Sequence, residues 1–118
     1  MKVENIKFKA KKTLDGKWIK GDLVHHKDSD NVWITDYENQ LTSPVDTSTI
    51  CQFTGLTDTN DVPIFEGDII DFDGEGEVVF KDGAFYAKFG KYTECLLRNL
   101  VKSGLSVTIV GNKFDKEK

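Results

Sequence analysis

Two pairs of residues in this 118-residue chain could do acid–base chemistry: Asp22 with His25, and Glu66 with Asp68. An imidazole exchanges protons near neutral pH, and paired carboxylates can divide the acid and base roles, so either pair could in principle serve a small hydrolase. Neither is accompanied by a defined nucleophile, and catalysis requires a positioned set in a pocket rather than two suitable residue types. His25 and His26 are adjacent, so on an extended strand they point to opposite faces and do not ligate one ion together. Asp22, Asp28 or Asp30 could join one of them, but no HExxH, Cys/His or EF-hand spacing is present. Cys51 and Cys95 each stand alone, with no CxxC pair, and read as buried reduced thiols. The polar segment Thr57–Asp61 is too short and too poor in glycine for a phosphate loop. These residues point to a noncatalytic protein without a cofactor or metal.

The elements that would carry these groups are strands. Ile6–Lys11 alternates apolar and basic residues, and Asp15-Gly16 is a hairpin signal leading into Trp18–His25, where Gly21-Asp22 suggests a bulge. Asp28–Asn31 is a turn before the strand Val32–Tyr37, and residues 38–49 read as a polar connection containing Pro44. Thr49–Phe53 is a short strand that Gly55 breaks. Pro63–Phe72 then reads as a tight acidic turn feeding a strand, with glycine where an unusual backbone conformation is needed. Glu77–Lys81 and Ala84–Phe89 flank Asp82-Gly83, a second two-residue hairpin signal. Cys95, Leu96, Leu97, Leu100 and Val101 have helical spacing and predict one short helix that starts at Thr93 or Glu94 and ends near Gly104. Leu105–Val110 returns to a strand pattern, and the charged tail is expected to be mobile beyond Phe114.

Trp18–Val24 can be laid over Ile64–Ile70, each having two apolar residues, a charge, Gly-Asp and two aliphatics. The expected fold is therefore mainly β, a small antiparallel barrel or two curled β substructures with one short helix. At 38% hydrophobic content the chain can form a single domain, residues 1–118, with two lobes at about 1–50 and 51–118. No apolar run approaches the ~20 residues of a membrane-spanning helix, and the lysine-rich start lacks a secretory signal's apolar segment. A cytosolic protein with no membrane partner is expected.

A net charge of -4 conceals three blocks. Residues 1–27 hold eight lysines against three acids, residues 28–77 hold thirteen acids and no lysine or arginine, and residues 78–118 hold eight basic residues against four acids. The acidic middle is a candidate docking face for a basic partner, with Asp58, Asp61, Glu66 and Asp68 as contacts and with Trp33 and Tyr37 as aromatic contacts if the face they share is open rather than closed into a core or a seam between lobes. The alternative is nucleic-acid binding through the basic ends, with Lys7, Lys9 and Lys11 on one strand face and Lys88, Lys91 and Arg98 joining them in space.

Gln52-Phe53-Thr54-Gly55-Leu56-Thr57-Asp58, followed by Ile64-Phe65-Glu66-Gly67-Asp68-Ile69-Ile70, resembles the central signature of the YopX family of bacteriophage and prophage proteins. Ile6-Lys7-Phe8-Lys9-Ala10 and Val110-Gly111-Asn112 resemble that family's two ends, so the similarity spans most of the chain. Asn60-Asp61 stands where the family usually has glycine nearby, and Lys113-Phe114-Asp115 departs from its usual ending. The resemblance implies a β-rich phage-associated protein with SH3-like character in at least one part. It supplies no reaction, cofactor or catalytic set. Together with the residues above, it implies a noncatalytic interaction protein in the bacterial host cytoplasm, its partner a host or phage protein.

Overall fold

The computed structural model describes residues 3–115, and the chain divides between Phe53 and Thr54 into two compact units. In the first unit β1 (Phe8–Lys11), β2 (Trp18–His25), β3 (Val32–Asp36) and β4 (Thr42–Val45) form an antiparallel meander. Strand alternation sends Ala10, Ile19, Val32, Ile34 and Val45 to one side, where they are buried and where Phe8, Leu23 and Ile50 pack on them. The β1–β2 turn is fastened by the Lys17 amide, which donates to the Asp15 carboxylate at 2.9 Å. That bond holds the Asp15 carboxyl below its usual pKa. Strand β4 falls inside the expected polar connection. Pro44 cannot donate to a ladder, which argues against a central strand, but β4 lies at the edge of the sheet, where proline is tolerated.

Strand β5 (Cys51–Thr57) crosses the division, pairing Cys51 and Gln52 with β1, and it continues through Gly55 rather than breaking there. The second unit adds β6 (Pro63–Phe65), β7 (Asp68–Asp71), β8 (Glu75–Lys81), β9 (Ala84–Phe89), β10 (Thr93–Leu96), helix α1 (Leu97–Val101) and β11 (Thr108–Asn112). Asp82 and Gly83 both have positive φ, 51° and 80°, the backbone that a two-residue hairpin joining twisted strands requires. The expected helix starts late, because Thr93–Leu96 are taken up by a ladder with β9. Its five remaining residues cannot form a stable helix alone, and Leu97 and Leu100 hold it by joining the core of Ile64, Ile70, Val78, Ala87 and Val107.

The expectation of a barrel or two curled SH3-like substructures is corrected by the strand order. There are two open antiparallel sheets, β4-β3-β2-β1-β5-β6 and β10-β9-β8-β7-β11, and neither ladder closes on itself. An isolated bridge joins Lys12 to Val45 without forming a further ladder. Hydrophobic alternation demands only that one face be covered; it does not dictate whether edge strands meet. The two Gly-Asp segments also differ: Gly21 lies inside β2, whereas Gly67, at φ 87°, turns the chain between β6 and β7. Their likeness is one of residue order, not of backbone role. At the C-terminal end, Lys113–Asp115 are tied back, with the Asp115 amide donating to the Asn112 carbonyl and the Phe114 amide to Asn112 Oδ1, both at 2.9 Å. The rest of the tail expected to be mobile, residues 116–118, lies outside the described residues.

Candidate interaction surface

With Val32 and Ile34 committed to the core, Trp33 and Thr35 must face the other way. Register carries that outer face across the first unit. Trp33 stands between Val24 and Pro44, Thr35 between Asp22 and Thr42, Lys20 beside Lys9, and Trp18 beside Lys11. Tyr37 follows β3 on the same side and is 46% exposed. Trp33 is half-buried, its ring in a T-shaped contact with His26 at 5.2 Å between centroids. Thus Trp33 and Tyr37 do share a face, and that face is the sheet's outer one. Trp18, Lys20 and Tyr37 also line a shallow cleft of about 280 Å³ with Ile19, Asp36 and Glu38.

The lysines of this face lie over aromatic rings. Lys9 Nζ is 4.7 Å and Lys11 Nζ 5.5 Å from the Trp18 centroid, and Lys7 Nζ is 4.4 Å from that of Phe53. Such contacts hold a cation against the face of the ring by the ring's quadrupole. Trp18 and Phe53 were not among the residues singled out as contacts by sequence. The signal was present, because Lys11 and Trp18 flank a hairpin turn, but its register had to be known.

Burial pushes the Tyr37 phenol above its ordinary pKa, and the Asp22 carboxylate beside it adds to the shift. Tyr37 also donates to the Ile6 carbonyl at 3.1 Å. The folded chain therefore keeps this proton at pH values where the unfolded chain has lost it. Its contribution to stability is complete below a pH of about 10 and is lost as pH rises through the folded pKa. In alkaline denaturation we expect wild type to lose stability more steeply above that pH than Tyr37→Phe. Equal slopes would contradict the assignment.

The four acidic candidates have different fates. Asp58 is buried and serves its own loop: Oδ1 accepts from the Asn60 and Val62 amides at 2.8 and 2.9 Å, and Oδ2 from the Ile109 amide at 3.1 Å. Asp68, also buried, accepts from the Phe65 amide at 2.8 Å and the Asn112 side-chain amide at 2.9 Å. Both carboxylates are occupied by the fold. Asp61 stays exposed in a turn with φ 66°, and Glu66 is half-buried.

The basic residues of the second unit do not form one stripe. Lys88 lies in register with Glu77 on one side and Glu94 on the other, and Glu94 also pairs with Lys81 at 2.7 Å. Lys91 stands in the turn after β9, 5.9 Å from the Tyr92 centroid. Arg98 lies on α1 at the rim of a small cleft with Leu56 and Phe85.

The structure assembles neither acid–base pair. Asp22 and His25 occupy opposite faces of β2, and Asp68 is engaged as described. Among the described residues, no group of three or more His, Cys, Asp or Glu is placed to hold a metal ion. Cys51 is buried and Cys95 half-buried, both as free thiols, and burial raises the Cys95 pKa. No helix among the described residues is long and apolar enough to cross a membrane. A family model described as YopX protein matches residues 7–117. No curated protein and no solved structure matches.

Proposed function

The chain belongs to the YopX family, and from that premise we propose a noncatalytic interaction protein, encoded by phage or prophage, that binds a host or phage protein in the bacterial cytoplasm. The family match runs across the division at Phe53, which supports one domain built of two units. The observation that carries the reading is the outer face of β1–β3, where two indoles and an exposed phenol stand on the side of the sheet away from its core. Trp and Tyr bring large, rigid contact area and dominate binding hot spots. On this reading Trp33 and Tyr37 are the aromatic anchors, and Asp61 and Glu66 remain as the accessible acidic candidates.

The test is capture from host lysate at low and moderate salt by immobilised wild type and by Tyr37→Glu, with amide exchange locating the protected surface. We expect a captured protein that protects β2 and β3, and about a tenfold loss on Tyr37→Glu. Absence of any partner above controls at both salts would count against the reading.

A second reading, nucleic-acid binding, is favoured by Lys9 and Lys11 flanking Trp18, since stacking on an indole with cations beside it suits single strands. Anisotropy with labelled single-stranded DNA, duplex DNA and RNA distinguishes the two. Salt-sensitive binding lost in Trp18→Ala supports this second reading, and no binding at low salt dismisses it.

A further inference from the structure

A cleft of about 240 Å³ opens in the second unit between β5, the β8–β9 hairpin and the start of α1, lined by Thr54, Leu56, Ala84, Phe85, Leu96 and Arg98. It is smaller than a drug-sized site, which begins near ~300 Å³, and has room for one or two aliphatic side chains. Its apolar surface continues outward, because Phe80 lies against Phe85 at 4.9 Å between centroids and is itself 48% exposed. The Thr54 hydroxyl is already satisfied, donating to the Ile64 carbonyl at 2.8 Å and accepting from the Leu56 amide at 3.1 Å. The remaining polar feature is Arg98. It is exposed, and no carboxylate among the described residues pairs with it.

We propose that this cleft docks a short acidic peptide segment of another protein, one apolar side chain entering between Leu56, Phe85 and Leu96 while a neighbouring carboxylate pairs with Arg98. The guanidinium fork matches a carboxylate through two parallel hydrogen bonds, so charge complementarity selects the acidic partner. A single cation beside an apolar wall suits a peptide better than a nucleic-acid backbone, whose regularly spaced phosphates call for several. Extended peptide is also favoured because β10, the edge strand of its sheet, ends at Leu96 in the cleft, and edge strands accept added chains through their backbone groups. This cleft shares no lining residue with the outer face of the first unit, and the proposal does not depend on that face.

The test uses the full chain, isotopically labelled, titrated with a hexapeptide of alternating leucine and aspartate. Control peptides carry lysine for aspartate or serine for leucine. Amide shifts are expected at Leu56, Ala84, Phe85, Leu96 and Arg98 with the leucine–aspartate peptide and with neither control. Arg98→Glu should weaken binding about tenfold or more, and Arg98→Lys should weaken it less. Because Arg98 is exposed, its variants should otherwise keep the wild-type spectrum, which the same experiment reads. The proposal is overturned by no binding at about millimolar peptide, by equal binding of the lysine peptide, by shifts confined to other residues, or by an unchanged affinity in Arg98→Glu. Concentration-dependent shifts at these residues without peptide would assign the cleft to a second copy of the chain and overturn it too. A single-stranded oligonucleotide moving the same amides more strongly than the peptide would do the same.

Discussion

Asp68→Ala is expected to destabilise the second unit by about 3 kcal/mol, enough to lower its melting temperature by roughly 15 °C. The carboxylate is 2% exposed and accepts from the backbone amide of Phe65 and the side-chain amide of Asn112. Alanine would remove the acceptor that both donors share, and Phe65 and Asn112 are themselves buried. Asn112 cannot simply turn to compensate, because its Oδ1 already accepts from the Phe114 amide at 2.9 Å. One side chain thus joins the β6–β7 turn to the end of β11.

Asp68→Asn separates shape from hydrogen bonding. Its oxygen could still accept from Phe65, but its amino group would then face that of Asn112, so a loss of about 2 kcal/mol is expected. Both tryptophans lie in the first unit, so their fluorescence is the wrong probe. Urea unfolding followed by far-ultraviolet circular dichroism, with amide exchange read at Phe65, Ile70 and Val78, reports on the affected strands. A loss below about 1 kcal/mol for the alanine variant would mean that water replaces the carboxylate there.

Gly21→Ala should be at least as damaging, this time in the first unit. A Cβ built at Gly21 would overlap the Thr35 carbonyl oxygen and approach the Thr35 carbonyl carbon to 2.7 Å. These are backbone atoms in the neighbouring strand, and no rotamer change relieves the clash. Strands β2 and β3 would have to separate where Gly21 pairs with Asp36 and Asp22 with Thr35. Overpacking of ordinary core sites costs about 1–3 kcal/mol, and a backbone collision belongs at or beyond the upper end. Trp18 and Trp33 flank the site on adjoining strands, so tryptophan fluorescence under urea is a direct readout. An unchanged unfolding midpoint would show that the close approach of β2 to β3 is not required.

Much of the strand content was legible because its signals are local. Asp15-Gly16 and Asp82-Gly83 turn the chain where expected, and Ala84–Phe89 has its predicted limits. β4 was hidden because its pattern is polar and contains Pro44, acceptable only at an edge that tertiary pairing creates. Thr93–Leu96 read as helix because Cys95, Leu96 and Leu97 are equally compatible with both periodicities; pairing with β9 decided between them.

For the candidate site, residue type was visible but direction was not. Asp58 and Asp68 are as acidic in sequence as Asp61, yet the loop after β5 turns the first, and the start of β7 the second, inward onto amide donors, while the third stays in solvent. Trp33 and Tyr37 were readable as one face from their alternation alone. Only the positions of Val32 and Ile34 in the core established that it is the outer face.

By itself, then, the order of residues determined the β character, the hairpin turns and membership in the YopX family, since these depend on short-range backbone preferences and on motif. Tertiary structure decided that the sheets stay open, which carboxylates are consumed and which cation borders an apolar cleft. Those outcomes depend on register and on contacts between residues as far apart as Asp68 and Asn112, which no local pattern encodes.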